Sequence, residues 1–266
     1  MSQQLKVYNI NAFTDKKNQG NPACVIQLKK WIDDKELLKI SRINAVPETA
    51  FFIINKDSIH LRWFTPEIEM DLCGHATLAT AHCLISILNY KKNKLEFISK
   101  SGILIVKHIN GKYEMNLPKR VGTKTKLPEI ISKSLNIQPI ETLKSRDYIL
   151  VYNSEAEIKN IKINESHFNK INLDPGGVVV TSKGDTVDFV SRYFTPQSSI
   201  LEDPATGSSH CSLIPYWSRK LNKKKLKSLQ LSKRKGEFEC ENKDERVLVT
   251  GKAFTDSIEI KNYYNE

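Results

Sequence analysis

The chain has 266 residues, 39% apolar and 27% charged, the make-up of a globular protein long enough for two ordinary domains. Its formal charge of +11 is spread along the chain, and the densest basic run, residues 219–235, carries no interleaved aromatics and no nucleic-acid module, which argues for a solvated face. No apolar stretch approaches the roughly 20 residues that span a bilayer, the first residues carry no export signal, and five scattered cysteines without a C-x-x-C fit free thiols in the cytoplasm.

Residues 6–13 predict a first strand and, after the polar loop 14–21, residues 23–26 predict a second. Leu37, Leu38 and Ile40 behind Asp33 or Asp34 as N-cap predict a helix over 33–43. Strands are expected at 50–54 and 59–64, the second stopped by Thr65-Pro66. Residues 74–89 are apolar nearly all round, with alanines at 76, 79 and 81, so that helix should be buried on every side. Strands follow at 95–99, 103–107 and 113–117, with turns at Ser101-Gly102 and Asn110-Gly111. The second half repeats the order: helix near 128–135, strand 148–152, helix near 166–171, strands 177–182 and 186–194, helix 207–221 and three closing strands.

The repetition extends to the residues themselves. Arg62-Trp63-Phe64-Thr65-Pro66 returns as Arg192-Tyr193-Phe194-Thr195-Pro196, an offset of 130, while Gly74 to Gly207 is an offset of 133. Three residues are therefore inserted between strand and glycine in the second copy. Self-similarity at half the chain length points to two like-folded lobes rather than a solenoid. The expected architecture is α+β, with lobes 1–117 and 118–266, each a mixed sheet around one central helix, and a cleft between them. Without βαβ alternation or G-x-G-x-x-G, a dinucleotide fold is not expected.

Gly74-His75 and Gly207-Ser208-Ser209 each read as the opening of a buried helix, where unpaired N–H groups and the helix dipole favour an anion. Glu48 stands in an otherwise apolar stretch at the mouth of a strand, a setting suited to a carboxylate that gives and takes a proton. Asp203 could orient a histidine or cap a helix. His75, His82 and His210 lie beside cysteines, but no carboxylate or C-x-x-C completes a metal set, and the G-x-S-x-G elbow of a serine hydrolase is absent. Cys73 could be an activated thiolate at a helix start. Its counterpart Thr206 cannot ionise usefully, so a two-thiol mechanism is not supported.

The chain resembles the PhzF-like phenazine-biosynthesis family, within the diaminopimelate-epimerase fold superfamily. The resemblance rests on Phe13-Thr14 with Gly20-Asn21-Pro22-Ala23, on Pro47-Glu48-Thr49-Ala50-Phe51, on residues 62–66 with Glu69 and Cys73-Gly74-His75-Ala76-Thr77, and on Glu202-Asp203-Pro204-Ala205-Thr206-Gly207-Ser208. It implies two lobes, a homodimer, no cofactor and no metal. It implies Glu48 as acid/base with His75 and Asp203 in support. Asn21, Gly74, Ala76, Gly207, Ser208 and Ser209 would then bind a small carboxylate-bearing substrate. Cys73 matches one cysteine of the epimerase branch and Thr206 replaces the other, which favours proton-moving isomerisation over racemisation. The rival expectations are a single-thiol epimerase or dehydratase, and a non-catalytic ligand-binding or protein-interaction module.

Overall fold

The computed structural model describes residues 3–56, 58–173, 176–196 and 198–263. The first half runs β1 (Gln3–Ala12), β2 (Asn21–Gln27), α1 (Asp34–Asn44), β3 (Glu48–Asn55), β4 (Ser58–Phe64), the two-residue β5 (Glu69–Met70), α2 (Gly74–His82), β6 (Lys94–Ser99), β7 (Gly102–Ile109) and β8 (Lys112–Pro118). Next come β9 (Thr123–Lys124), α3 (Glu129–Lys133), β10 (Glu141–Lys144), β11 (Tyr148–Val151), α4 (Glu155–Asn160), α5 (Glu165–Phe168), β12 (Val178–Lys183) and β13 (Phe189–Phe194). The chain finishes with β14 (Glu202–Asp203), α6 (His210–Leu221), β15 (Lys225–Gln230), β16 (Gly236–Asn242), β17 (Arg246–Gly251) and β18 (Ala253–Tyr263). Two compact units result, residues 1–116 with 250–266, and residues 117–249.

In the first unit β18, β1, β2, β3, β4, β6 and β7 are neighbours in that order. Side chains alternate between the two faces of each strand. Cys24, Ile26, Phe51, Ile53 and Phe64 pack with Leu37 and Ile40 of α1 on one face. The opposite set, which includes Ala23, Ala50 and Trp63, faces the side where α2 lies along β1, β2 and β3. Every α2 residue from Gly74 to Ala81 is buried, as a helix apolar all round requires. The helical path then widens into a π turn at Cys83–Ile87, where the Leu88 amide reaches the Cys83 carbonyl at 2.9 Å. Asp33 is the N-cap of α1, its carboxylate accepting from the Lys35 amide at 2.8 Å.

The chain does not stay in its second unit to the end. Expected to belong wholly to the second lobe, residues 118–266 instead send their last strand back: β18 pairs antiparallel with β1 from Gln3↔Tyr263 to Ala12↔Ala253. A strand on a sheet edge needs a partner for its backbone groups, and β18 supplies one for β1.

The second unit repeats the pairing scheme of the first. β2 and β3 are parallel, as are β11 and β12; β3 and β4 are antiparallel, as are β12 and β13; β4 and β6 are parallel, as are β13 and β15. The three inserted residues sit in one turn. Thr65 N–H closes on Ile68 O at 2.9 Å, whereas Thr195 N–H closes on Leu201 O at 2.8 Å. Helix α6 carries Pro215, which has no N–H to give Cys211 O; the Arg120 amide gives it instead, at 2.9 Å. Helix α4 was absent from the sequence expectation although Ser154-x-x-Glu157 marks its start. Ser154 Oγ accepts from Glu157 N–H at 3.2 Å and the Glu157 carboxylate accepts from Asn153 N–H at 2.8 Å, a capping pair that closes one residue before the N-cap.

Candidate functional site

Three backbone features of the first unit bring four polar side chains together. Asn21 is the first residue of β2 and Glu48 the first of β3, and the parallel register sets Ala23 beside Glu48. Cys73 is the N-cap of α2 and His75 its second residue. Glu48 Oε2 stands 3.1 Å from His75 Nε2, and Asn21 Nδ2 lies 3.0 Å from His75 Nδ1, with Cys73 Sγ 3.6 Å from the same nitrogen. Exposure falls from 15% at Glu48 to 5% at Cys73 and 4% at His75. The Glu48–His75 contact is close yet off the N–H axis, so neither atom counts as hydrogen-bonded among the described residues.

With the Asn21 amide nitrogen turned to Nδ1, that nitrogen accepts and the neutral ring carries its proton on Nε2, toward Glu48. Burial disfavours the charged ring, but negative charge on Cys73 and Glu48 outweighs it, and the His75 pKa lies well above the ordinary histidine value. Burial pushes the Cys73 thiol up, and the Glu48 carboxylate adds to that; the Ala76 amide pulls the other way by donating to the sulfur. The shift runs against the activated thiolate expected at this helix start. Glu48, Cys73 and His75 offer one ligand atom each within 4.8 Å, the one such trio among the described residues. Glu48 is thus the carboxylate that the sequence did not show beside the His and Cys residues.

Helix geometry leaves the Gly74 and His75 N–H groups at the start of α2 without intrahelical partners. The second glycine differs. Helix α6 begins at His210, and Gly207, Ser208 and Ser209 form a turn in which His210 N–H reaches Gly207 O at 3.2 Å and Cys211 N–H reaches Ser208 O at 3.1 Å. The cause is local. Ser209 Oγ donates to Thr206 O at 2.8 Å, and His210 Nδ1 donates to the same carbonyl at 2.9 Å, so side chains take the acceptor that would otherwise begin the helix.

Asp203 and Thr206 come together in this second unit. The Thr206 hydroxyl donates to Asp203 Oδ2, and Gln230 fixes the turn by accepting from Thr206 N–H at 2.7 Å and donating to Asp203 O at 2.6 Å. Gln230 went unremarked in the sequence, where nothing local sets it apart. Ser208 is half-buried with its neighbours turned inward, while Ser209, expected to touch substrate, spends its hydroxyl inside the turn. His82 and His210 are structural. Burial depresses both to about 4, with His108 adding to the shift at His82; His82 bonds Tyr113 and Thr255, and His210 bonds Ser228.

Comparison with known proteins matches the phenazine biosynthesis-like family PhzC-PhzF over residues 10–257. An uncharacterized isomerase of Pseudomonas aeruginosa is 41% identical over 250 residues, covering 94% of this chain and 96% of that protein. The crystal structure of a PhzF-family phenazine biosynthesis protein from Enterococcus faecalis superposes with a TM-score of 0.91 at 37% identity, covering 99% of this chain and 100% of that one. A hydroxyproline epimerase from Agrobacterium vitis, with bound trans-4-hydroxy-L-proline, gives a TM-score of 0.66 at 7% identity over 97% of this chain and 92% of that one, a likeness of fold alone. The α+β, diaminopimelate-epimerase-like architecture expected from the sequence is thus the observed one. Among the described residues no helix is long and apolar enough to cross a membrane. By profile, by relatives and by superposition, the chain belongs to the PhzC-PhzF family of phenazine biosynthesis-like proteins.

Proposed function

We propose that the protein is a cofactor-independent isomerase that moves a proton within a small, carboxylate-bearing substrate, with Glu48 as the carrier. The carboxylate takes a proton from a carbon acidified by the substrate's own unsaturated or carbonyl group. The electron pair passes into that group, and the protonated Glu48 returns the proton to a second carbon of the same skeleton. His75 Nε2–H steadies the carboxylate between the two steps, and Asn21 holds the ring. In the same reading Gly74 and Ala76 hold the substrate carboxylate. The assembly that fits the family resemblance is a homodimer, which sedimentation would test.

The observation that carries this reading is the Glu48–His75 pair at the start of a buried helix, 3.1 Å apart with little solvent around it. The repeat sharpens it. Glu48 lies two residues before Ala50, which pairs with Trp63; the residue two before Val179, which pairs with the corresponding Tyr193, is Gly177. The second unit therefore has no matching carboxylate, and Thr206 stands in place of a second thiol. One proton carrier is the requirement of a shift within one molecule. Two opposed carriers are what racemisation uses, and a Cys73 thiol pushed up by burial disfavours the single-thiol alternative as well.

The test is incubation in D2O with a panel of small cyclic and unsaturated carboxylates, read by NMR. Wild type should relocate a double bond in one of them, and Glu48→Gln should lower that rate by roughly 10²–10⁴ while keeping its fold. A fully active Glu48→Gln enzyme would remove Glu48 from the mechanism. A ligand that binds and always returns unchanged would favour a binding module instead.

A further inference from the structure

Trp63 is 1% exposed, and its indole Nε1–H has no hydrogen-bond partner among the described residues. Indole nitrogen only donates, and a buried donor left unmet is costly, so such groups are uncommon away from ligands and waters. Its neighbours make the orphan informative. Glu48 Oε2 and His75 Nε2 are also buried without an aligned partner. Trp63 sits on β4 opposite Ala50, and Glu48, two residues before Ala50, points to the same face of the sheet. A diagonal neighbour of this kind is about 7–8 Å away, within reach of an aromatic side chain.

The second unit shows how the counterpart ring is satisfied. Tyr193, the counterpart of Trp63, pairs with Val179. Its ring lies over Gly177, so closely that a Cβ there would meet Tyr193 Cζ and the hydroxyl oxygen at 2.5 Å. Beyond Gly177 the Tyr193 hydroxyl donates to Asp147 Oδ1 at 2.9 Å. Gly177 occupies the place that Glu48 holds in the first unit. Glu48 carries the Cβ that Gly177 lacks, so the Trp63 ring shares a face with Glu48 without lying over its backbone as Tyr193 lies over Gly177. Asp147 has no acidic counterpart there: it directly precedes Tyr148, which pairs with Val178, and the equivalent position beside Glu48 is Ala23. The protein acceptor that satisfies the second-unit ring is missing in the first.

The geometry points to Trp63 as a substrate-binding residue of the Glu48–His75 site, its indole N–H donating to an oxygen of the substrate's carboxylate or of the group that activates the C–H bond. The inference rests on the isomerase reading of that site and adds a donor to it. A fixed N–H in a water-poor site binds an anionic oxygen without rearrangement when charge builds on it. It also explains why a large polar-edged ring, rather than Leu or Phe, fills this position.

The chain has three tryptophans, so 15N-tryptophan labelling gives three indole signals, assigned with Trp31→Phe and Trp217→Phe even where Trp63→Phe folds poorly. Benzoate, a small cyclic unsaturated carboxylate, is the probe. On titration the Trp63 indole proton should move downfield while those of Trp31 and Trp217 hold still, and folded Trp63→Phe should bind benzoate about tenfold more weakly. Backbone amides of Gly74 and His75 that respond while the Trp63 indole does not would overturn the donor role and leave the isomerase site standing. No response from either, up to saturating benzoate, would overturn both.

Discussion

Burial of the His75 ring opposes its charged form, negative charge on Cys73 and Glu48 favours it, and the balance lies on the raised side. A histidine whose folded pKa exceeds its unfolded value of about 6.5 adds stability that is complete below that value and disappears as pH climbs through the folded one. Glu48→Gln removes one of the two opposing charges and leaves burial in place, so the His75 pKa should fall, and an imidazole NMR titration of wild type and variant would read the drop directly. An unmoved His75 would mean that Glu48 does not act on the ring. Glu48 and His75 were legible in sequence because each sits in a short motif, Pro47-Glu48-Thr49-Ala50 and Cys73-Gly74-His75. The direction of the Cys73 shift was not legible. A helix start lowers a thiol's pKa, and only coordinates reveal that burial, with the Glu48 carboxylate adding to it, pushes this thiol up.

Elements repeat more faithfully than sites do. Arg62 clasps Glu69 at 2.7 and 2.8 Å and Arg192 clasps Glu202 at 2.8 and 2.9 Å, and each guanidinium lies 5.0 Å from the Phe two residues on. Both copies thus fix the β4–β5 and β13–β14 corners with one device, a bidentate pair that also stacks. The strand-level copy was readable from Arg-x-Phe-Thr-Pro. The start of α6 was not, because Ser209 and His210 divert the Thr206 carbonyl, a choice that depends on side-chain reach and not on periodicity. Where the copies diverge in packing, one glycine decides it. Gly177→Ala would drive a methyl into the Tyr193 ring at 2.5 Å and push the hydroxyl off buried Asp147. The expected loss is about 1–3 kcal/mol, seen as a lower midpoint in urea. An unchanged midpoint would mean that the Tyr193 ring moves aside at no cost.

At the scale of the whole chain, the repeat announces two like units, but it cannot announce which unit the last residues join. The second copy is complete by β17, and β18 stands to β1 as the two-residue β9 stands to β10, each antiparallel to the first strand of a copy. Its own pattern is uninformative, since Ile258 and Ile260 are exposed and the strand lacks a clean apolar alternation. Only the pairing reveals its role. Ten residues of β1 find partners along it, at separations no local signal spans. Leu5, Val7 and Ile10 of β1 are buried in the first unit, so the strand that holds β1 in register also holds part of that core. A chain ended after residue 249 should therefore lose the cooperative unfolding of the first unit while the signals of residues 117–249 persist in a 1H–15N spectrum. Adding a peptide of residues 250–266 should restore the first-unit signals, because the strand contributes through pairing and needs no covalent link to do so. A truncated chain that melts like the full one would show that β1 is held by β2 and the core alone, and that the returning strand is an ornament of the fold rather than part of its first unit.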